Sequence, residues 1–205
     1  MLRRLPIIAV FGAGTPIAPE RRELARGTGA MVARLGAHLL TGAGFGVMAA
    51  VAEGFVSVAD RRGWSIGIVP RAPDGAFDEP NRDRDGRAYP NPLVEIAIHT
   101  PLPPRVGDWR AIPARNHVNV LSADAIVALP GGPGTENELD MAGEYRGECD
   151  RPRPQRRTVL LGPPAEFTTE HREMFVHAAT PDDAERHLRH VLALRRLMGD
   201  LVGAS

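Results

Sequence analysis

The sequence predicts an α/β fold, an open parallel sheet with helices on both faces. Short runs that are apolar throughout recur along the 205-residue chain, beginning with Ile7 to Phe11 (IIAVF). Stretches with helical apolar spacing separate them. Glycine-rich turns follow several of the apolar runs, where the backbone must pass from strand to helix within a few residues. Strands buried on both faces read as continuous apolar segments, and helices between them give parallel crossovers.

The elements follow in order. The first strand ends at Gly12-Ala13-Gly14, and Glu20 to Leu35 carries apolar residues at helical spacing with Gly36 as its stop signal. "AHLLT" (Ala37 to Thr41) is the second strand and leads through "GAGFG" into a helix from Val47 to about Ala59. "SIGIVP" gives a third strand ending at Pro70. From Arg71 to Pro92 the chain is rich in Pro, Asp, Arg and Gly and lacks apolar periodicity, so it reads as a long surface loop, either a lid or a disordered insert. Within it, Asn81, Asp83, Asp85 and Gly86 imitate the start of a calcium loop, but Pro92 stands where the bidentate Glu belongs. "LVEIAIH" (Leu93 to His99) resumes the sheet, followed by a helix containing Arg115, a strand from Asp124 to Pro130, and a helix from Glu136 to about Gly147. Arg157 to Gly162 is another strand, and "EMFVHAA" reads as a last short one. Thr180-Pro181-Asp182-Asp183 then signals an N-cap with proline at the first helical position, opening a helix to about Met198. No repeat or linker divides the chain, so one domain over residues 1–205 is expected.

Composition narrows the function. Lys+Arg 25 against Asp+Glu 25 leaves no global footprint for nucleic acid or an anionic membrane, so any anion site is local. Every one of those basic residues is arginine. Without lysine there is no Schiff base for pyridoxal chemistry and no phosphate-binding lysine of a Walker loop. The single cysteine, Cys149, forbids an internal disulfide, and no apolar run approaches twenty residues. A cytoplasmic location is expected. Cys149 has no neighbour that would activate its thiol.

Two turns, Gly42-Ala43-Gly44-Phe45-Gly46 and Gly131-Gly132-Pro133-Gly134-Thr135, place backbone N–H groups and a helix start where an anion can sit. In an open α/β sheet such turns gather at the carboxyl edge of the strands, which points to a phosphorylated ligand. Gly12 to Thr15 has the same location but lacks the third glycine of a dinucleotide fingerprint, and no acidic residue closes the second strand, which argues against NAD.

"TGAGFGVMAAVAEG" (Thr41 to Gly54), Arg115 and "PGGPGTENE" (Pro130 to Glu138) resemble the LOG-type proteins, often labelled lysine decarboxylases, and their relatives among the molybdenum-cofactor carrier proteins. The resemblance runs roughly from Ile7 to Gly147. It implies a Rossmann-like fold, a homodimer, and cleavage of nucleoside 5′-monophosphates to free base and ribose 5-phosphate with no cofactor required. It places the catalytic pair on Arg115 and Glu138; the turns and their neighbours give the candidate ligand contacts Gly12, Gly14, Thr41, Gly42, Gly44, Gly46, Met48, Asn116, Pro130, Gly131, Gly132, Gly134 and Thr135. There are departures: LOG enzymes usually follow the Arg with Lys, here Asn116, and carry glycine at Ala43. Asn116 favours the carrier branch, in which molybdenum cofactor or a similar phosphorylated pterin or nucleotide is the ligand, whereas the intact Glu138 favours the hydrolase, which is the first reading. A nucleotide sensor or interaction protein with vestigial loops is the third reading.

Breaking an N-glycosidic bond passes through an oxocarbenium-like state, so it needs negative charge near the sugar, an oriented water and help for the departing base. Glu138 suits the first two. Arg115 does not lose a proton, so it works electrostatically on phosphate or base. Each has a plainer reading. Thr135-x-x-Glu138 has capping-box spacing, which taken alone favours a cap for the Thr135 N–H, and Arg115 suits a pair with a carboxylate such as Asp124. His117 reads as packed or solvent-facing, His187 and His190 as a solvated helix face without metal, and Trp64 and Trp109 as packing residues, with Trp109 near enough to Arg115 to stack on a base.

Overall fold

The computed structural model describes residues 4–71, 82–83 and 85–202. Seven strands form one sheet: β1 Ile7–Phe11, β2 His38–Thr41, β3 Ser65–Val69, β4 Ile96–His99, β5 Ala125–Ala128, β6 Thr158–Leu161 and β7 Val176–Ala178. They are parallel throughout and lie in the order β4-β3-β2-β1-β5-β6-β7. This is the open, doubly wound, Rossmann-like arrangement expected from the sequence.

The helices are α1 Pro19–Arg34, α2 Val47–Val56, α3 Arg115–Ser122, α4 Pro133–Arg146, α5 Thr169–Met174 and α6 Pro181–Val202. Alternation along each strand splits the apolar residues into two layers. Ile8, Val10, Leu39, Val127 and Val159 pack with α1, α2 and α6, while Ala9, Phe11, Leu40, Ile126 and Leu160 pack with α3, α4 and Phe175. Strand order reverses between β1 and β5, so the connections leaving these two neighbours diverge and open a crevice at the carboxyl edge. At the opposite edge Asp124 is buried and accepts from Arg4 Nη2 and the Ile7 N–H, both at 2.8 Å, stapling β5 to β1.

Helix ends follow local chemistry. Thr180 Oγ1 accepts from the Asp183 N–H at 3.2 Å while Asp183 Oδ2 accepts from the Thr180 N–H at 3.1 Å, the reciprocal cap expected for α6. That helix extends to Val202, beyond the expected Met198. α4 begins three residues before the expected Glu136, with Pro133 at its first position and Gly132 as N-cap.

Three expectations are corrected. "EMFVHAA" is not one strand, because Glu173 and Met174 end α5, whose N-cap Thr168 accepts from the His171 N–H at 3.2 Å. "LVEIAIH" is a strand only over its last four residues, Ile96–His99, and these form an edge exposed at all four positions, with Ile96 and Ile98 40% and 46% exposed. Apolar content alone does not separate an edge strand from a central one. Trp64 is not a packing residue either, being half exposed beside β3.

Candidate active site

The reversal of strand order builds a cleft of about 480 Å3. Its floor is the end of β1 with Gly12, Ala13, Gly14 and Thr15. Gly132, Pro133, Gly134 and Thr135 form one end at the start of α4, and Gly42, Met48 and Tyr89 form the other. Arg115, Asn116 and Glu138 stand between them, and Arg82, Asp83, Asp85, Pro104 and Arg105 complete the rim. The catalytic pair anticipated from sequence is thus brought into one cleft from α3 and α4.

Glu138 is 8% exposed and does not cap its helix. With the helix starting at Pro133, Thr135 lies inside the first turn, where its N–H bonds Gly132 O at 2.9 Å. The Glu138 carboxylate instead accepts from Asn119 Nδ2 at 2.9 Å. Burial pushes its pKa from 4.5 up to about 7, against the opposing pull of the Arg115 charge and the Asn119 hydrogen bond. Such a carboxyl group changes protonation in the range where general acid–base chemistry works.

Arg115 is also 8% exposed and does not pair with Asp124. Nη1 donates to Ile68 O at 3.2 Å, beyond β2, and the buried Nε has no hydrogen-bond partner. Burial depresses the guanidinium pKa, Glu138 and Tyr89 oppose that shift, and the group remains a cation. A Cβ at Gly42 would lie 2.8 Å from Arg115 Cζ, so glycine is needed for the guanidinium to seat against the turn.

Asn116 lines the cleft and braces it, since Nδ2 donates to Asn137 Oδ1 at 3.1 Å and to Gly134 O at 3.4 Å, tying α3 to the first turn of α4. Asn116→Ala is expected to weaken binding of a phosphorylated ligand several-fold by loosening that turn, with a stability loss of about 1–2 kcal/mol; calorimetric titration and melting curves against wild type check it.

The other anticipated contacts divide. Gly12, Gly14, Gly42, Met48, Gly132, Gly134 and Thr135 line the cleft, whereas Thr41, Gly44, Gly46, Pro130 and Gly131 do not. In the glycine-rich turn after β2 the Val47 N–H donates to Ala13 O at 2.8 Å and the Met48 N–H to Phe45 O at 3.2 Å, so these two amides are already paired. Gly46 takes φ +60 with its backbone against Ala13 and Thr15, and Thr41 Oγ1 accepts from the Ala43 N–H at 3.2 Å. Gly131 backs onto the Thr135 side chain. These residues shape the turns. The starts of α3, at Arg115 and Asn116, and of α4, at Pro133 to Thr135, both line the cleft.

His117 is structural: Nδ1 accepts from the Ala114 N–H at 2.9 Å and Nε2 donates to Trp109 O at 2.8 Å. Trp109 is buried and packs edge-on against Tyr145, outside the cleft, so it does not stack on a base. His187 is not simply solvated, since its Nε2 bonds Arg156 O at 2.7 Å, while His190 is exposed. Asn81, the first position of the calcium-like pattern, lies outside the described residues; Asp83 and Asp85 bond Arg87 at 2.6 and 2.9 Å, and no cluster able to hold a metal occurs among the described residues.

Sequence reasoning missed Asn119 and the rim. Asn119 sits four residues after Arg115 on α3, a polar stripe on a short amphipathic helix that was there to be read. Tyr89, Arg82, Asp83 and Asp85 come from the stretch without periodicity. Its end is pinned to the turn after β2, with the Asn91 N–H and Nδ2 donating to Ala43 O at 2.8 Å and Gly44 O at 2.7 Å. Arg87 lies over the Phe45 ring at 4.2 Å. The described part of this stretch is therefore part of the cleft wall.

Comparison with known proteins places this architecture. Residues 5–149 match the SLOG cluster4 family, a stretch that contains β1 to β5, α4 and every residue of the cleft. The chain belongs to the SLOG cluster4 family. A relative in Mycobacterium marinum named cytokinin riboside 5′-monophosphate phosphoribohydrolase is 30% identical over 138 residues, covering 64% of this chain and 59% of that protein. Among solved structures, the molybdenum cofactor carrier protein of Chlamydomonas reinhardtii is 28% identical with a TM-score of 0.63, covering 93% of this chain and 99% of that one. The molybdenum cofactor binding protein of Rippkaea orientalis is 26% identical with a TM-score of 0.64, covering 92% and 98%. The family thus includes resemblances to an enzyme and to carriers, and the LOG and carrier likeness seen in the motifs holds.

Proposed function

We propose that this SLOG cluster4 protein binds a nucleoside 5′-monophosphate and hydrolyses its N-glycosidic bond to free base and ribose 5-phosphate. The observation that carries this reading is Glu138, a buried carboxyl group in the cleft wall with a pKa near 7 and no capping duty. A carboxylate at that cost is seldom kept for stability.

The sheet order supports one orientation for the ligand. The 5′-phosphate sits at the start of α4 against Gly132, Gly134 and Thr135, where the glycine amides, the Thr135 hydroxyl and the helix dipole favour an anion. The ribose then lies by Glu138, one turn along the helix, and the base reaches toward Gly42, Met48 and Tyr89 at the far end. As the C1′–N bond lengthens, ionised Glu138 stabilises the positive sugar ring and takes a proton from the attacking water. Arg115, lying against Gly42, sits on the base side and stabilises charge gathering on the leaving heterocycle. Hydrolysis of this kind needs water and no cofactor. The name of the M. marinum relative supports the same reaction class.

The carrier reading also rests on specific observations: both carrier structures are covered almost from end to end, and Asn116 replaces the expected lysine and is engaged in bracing α4. Molybdenum cofactor would fit as cargo with its phosphate in the same α4 turn and its pterin against Met48 and Tyr89.

The deciding experiment incubates the protein with a panel of nucleoside 5′-monophosphates and measures free base and ribose 5-phosphate. Turnover is expected, with kcat/KM rising with pH and levelling above about 7 as Glu138 loses its proton. No release by wild type, while the monophosphates still raise its melting temperature, would sink the hydrolase and favour the carrier.

A further inference from the structure

The hydrolase reading leaves one chemical requirement without a group. A departing purine-type base leaves slowly as an anion and needs a proton, and Glu138 is occupied with water while Arg115 holds its protons too tightly to donate. We propose that Tyr89 is the proton donor to the leaving base, an inference that rests on the hydrolase reading.

Three observations place it there. Tyr89 lines the cleft at the end opposite the α4 turn, beside Met48, which is where a base lies when the phosphate is at Gly132 to Thr135. A Cβ built at Gly44 would meet Tyr89 Oη at 3.2 Å and Met48 Cε at 2.7 Å, which fixes the phenol beside the turn that follows β2. Its ring is held edge-on against Phe45 at 6.5 Å. The hydroxyl makes no hydrogen bond to any described residue, although the side chain is half buried, so its donor is left for something in the cleft. Arg115 lies close enough for its charge to act on both Tyr89 and Glu138. Burial raises the phenol pKa above 10, which keeps it protonated through the working range of Glu138.

The step balances. The C1′–N bond breaks with its electron pair passing to the base, which takes the Tyr89 proton at a ring nitrogen. Water oxygen bonds C1′ and gives a proton to Glu138. The tyrosinate is stabilised by Arg115 and recovers a proton originating at Glu138 through solvent, so the net reaction consumes one water and restores the enzyme.

The test compares wild type with Tyr89→Phe on two substrates, adenosine 5′-monophosphate and 4-nitrophenyl ribofuranoside 5-phosphate, whose nitrophenolate departs without protonation. Phenylalanine keeps the ring against Phe45 and Met48. Tyr89→Phe is expected to lower kcat on the nucleotide by about 10²-fold with KM within threefold, and to slow the nitrophenyl substrate by less than threefold. Equal losses on both substrates, or none on either, would overturn the assignment. Wild type that cleaves neither compound would overturn the hydrolase reading itself and Tyr89 with it, an outcome read before any variant is made.

Discussion

Glu138→Gln is expected to reduce base release by about 10³-fold while making the protein more stable at pH 8. Glutamine has the same shape and still accepts from Asn119, but it neither takes a proton nor balances a positive sugar ring. The stability gain follows from the raised pKa. The folded state holds the Glu138 proton up to about pH 7, whereas the unfolded chain releases it near 4.5. Between those values the native state binds more protons than the unfolded one, so stability declines as pH rises through that window. The deficit at pH 8 is about 3 kcal/mol, from roughly 1.4 kcal/mol per unit of pKa difference. A neutral amide escapes it and donates to the buried, unpartnered Asn119 Oδ1. For a chain of this size that corresponds to a melting temperature higher by up to roughly 10 °C at pH 8, with the gain gone by about pH 4.5. Melting curves at several pH values, run beside the activity assay, check both halves. A variant that keeps its activity, or melts lower than wild type at pH 8, would return Glu138 to an ordinary structural role.

That combination of lost activity and gained stability is also where local sequence rules fail. Thr135-x-x-Glu138 has the spacing of a capping box, yet Pro133 and Gly132 start the helix early enough to put Thr135 inside it. The spacing was legible; which residue begins the helix was settled by the strand-to-helix turn. The parallel sheet and a ligand site at its carboxyl edge were implied by apolar runs and glycine turns, whereas the meeting of Arg115 with Glu138 was implied only by the family resemblance and the order of strands by neither. Two turns that look equivalent in sequence differ in space, because the Val47 N–H at the start of α2 reaches across to Ala13 O. Such occupancy depends on a segment more than thirty residues away, which no local pattern encodes. Tyr89 escaped for the same reason. Its neighbours have no periodicity, and its place is set by the Asn91 bonds that pin the stretch to Ala43 and Gly44.

Gly42→Ala is expected to reproduce most of the loss caused by removing Arg115, although alanine adds a single carbon. Gly42 is not among the positive-φ residues, so its backbone suits alanine and the effect is one of space. The new Cβ would overlap Arg115 Nη1 and lie 2.8 Å from Cζ. The guanidinium then leaves its seat against the turn and its bond to Ile68 O. Its route out is into the cleft, the space where the ligand must go. Glu138 loses the charge that holds its pKa down, so residual activity should rise with pH along a curve displaced to higher pH than wild type. Activity is expected to fall by at least ~10²-fold, with a stability loss of about 2 kcal/mol from the displaced guanidinium and its lost bond to Ile68 O. A double-mutant cycle with Arg115→Met separates the causes. If Gly42 acts through Arg115, the second substitution removes the clash and adds little further loss of activity. Fully additive losses would place the effect in the turn itself, and would mean that glycine is there for the fold and not for the guanidinium.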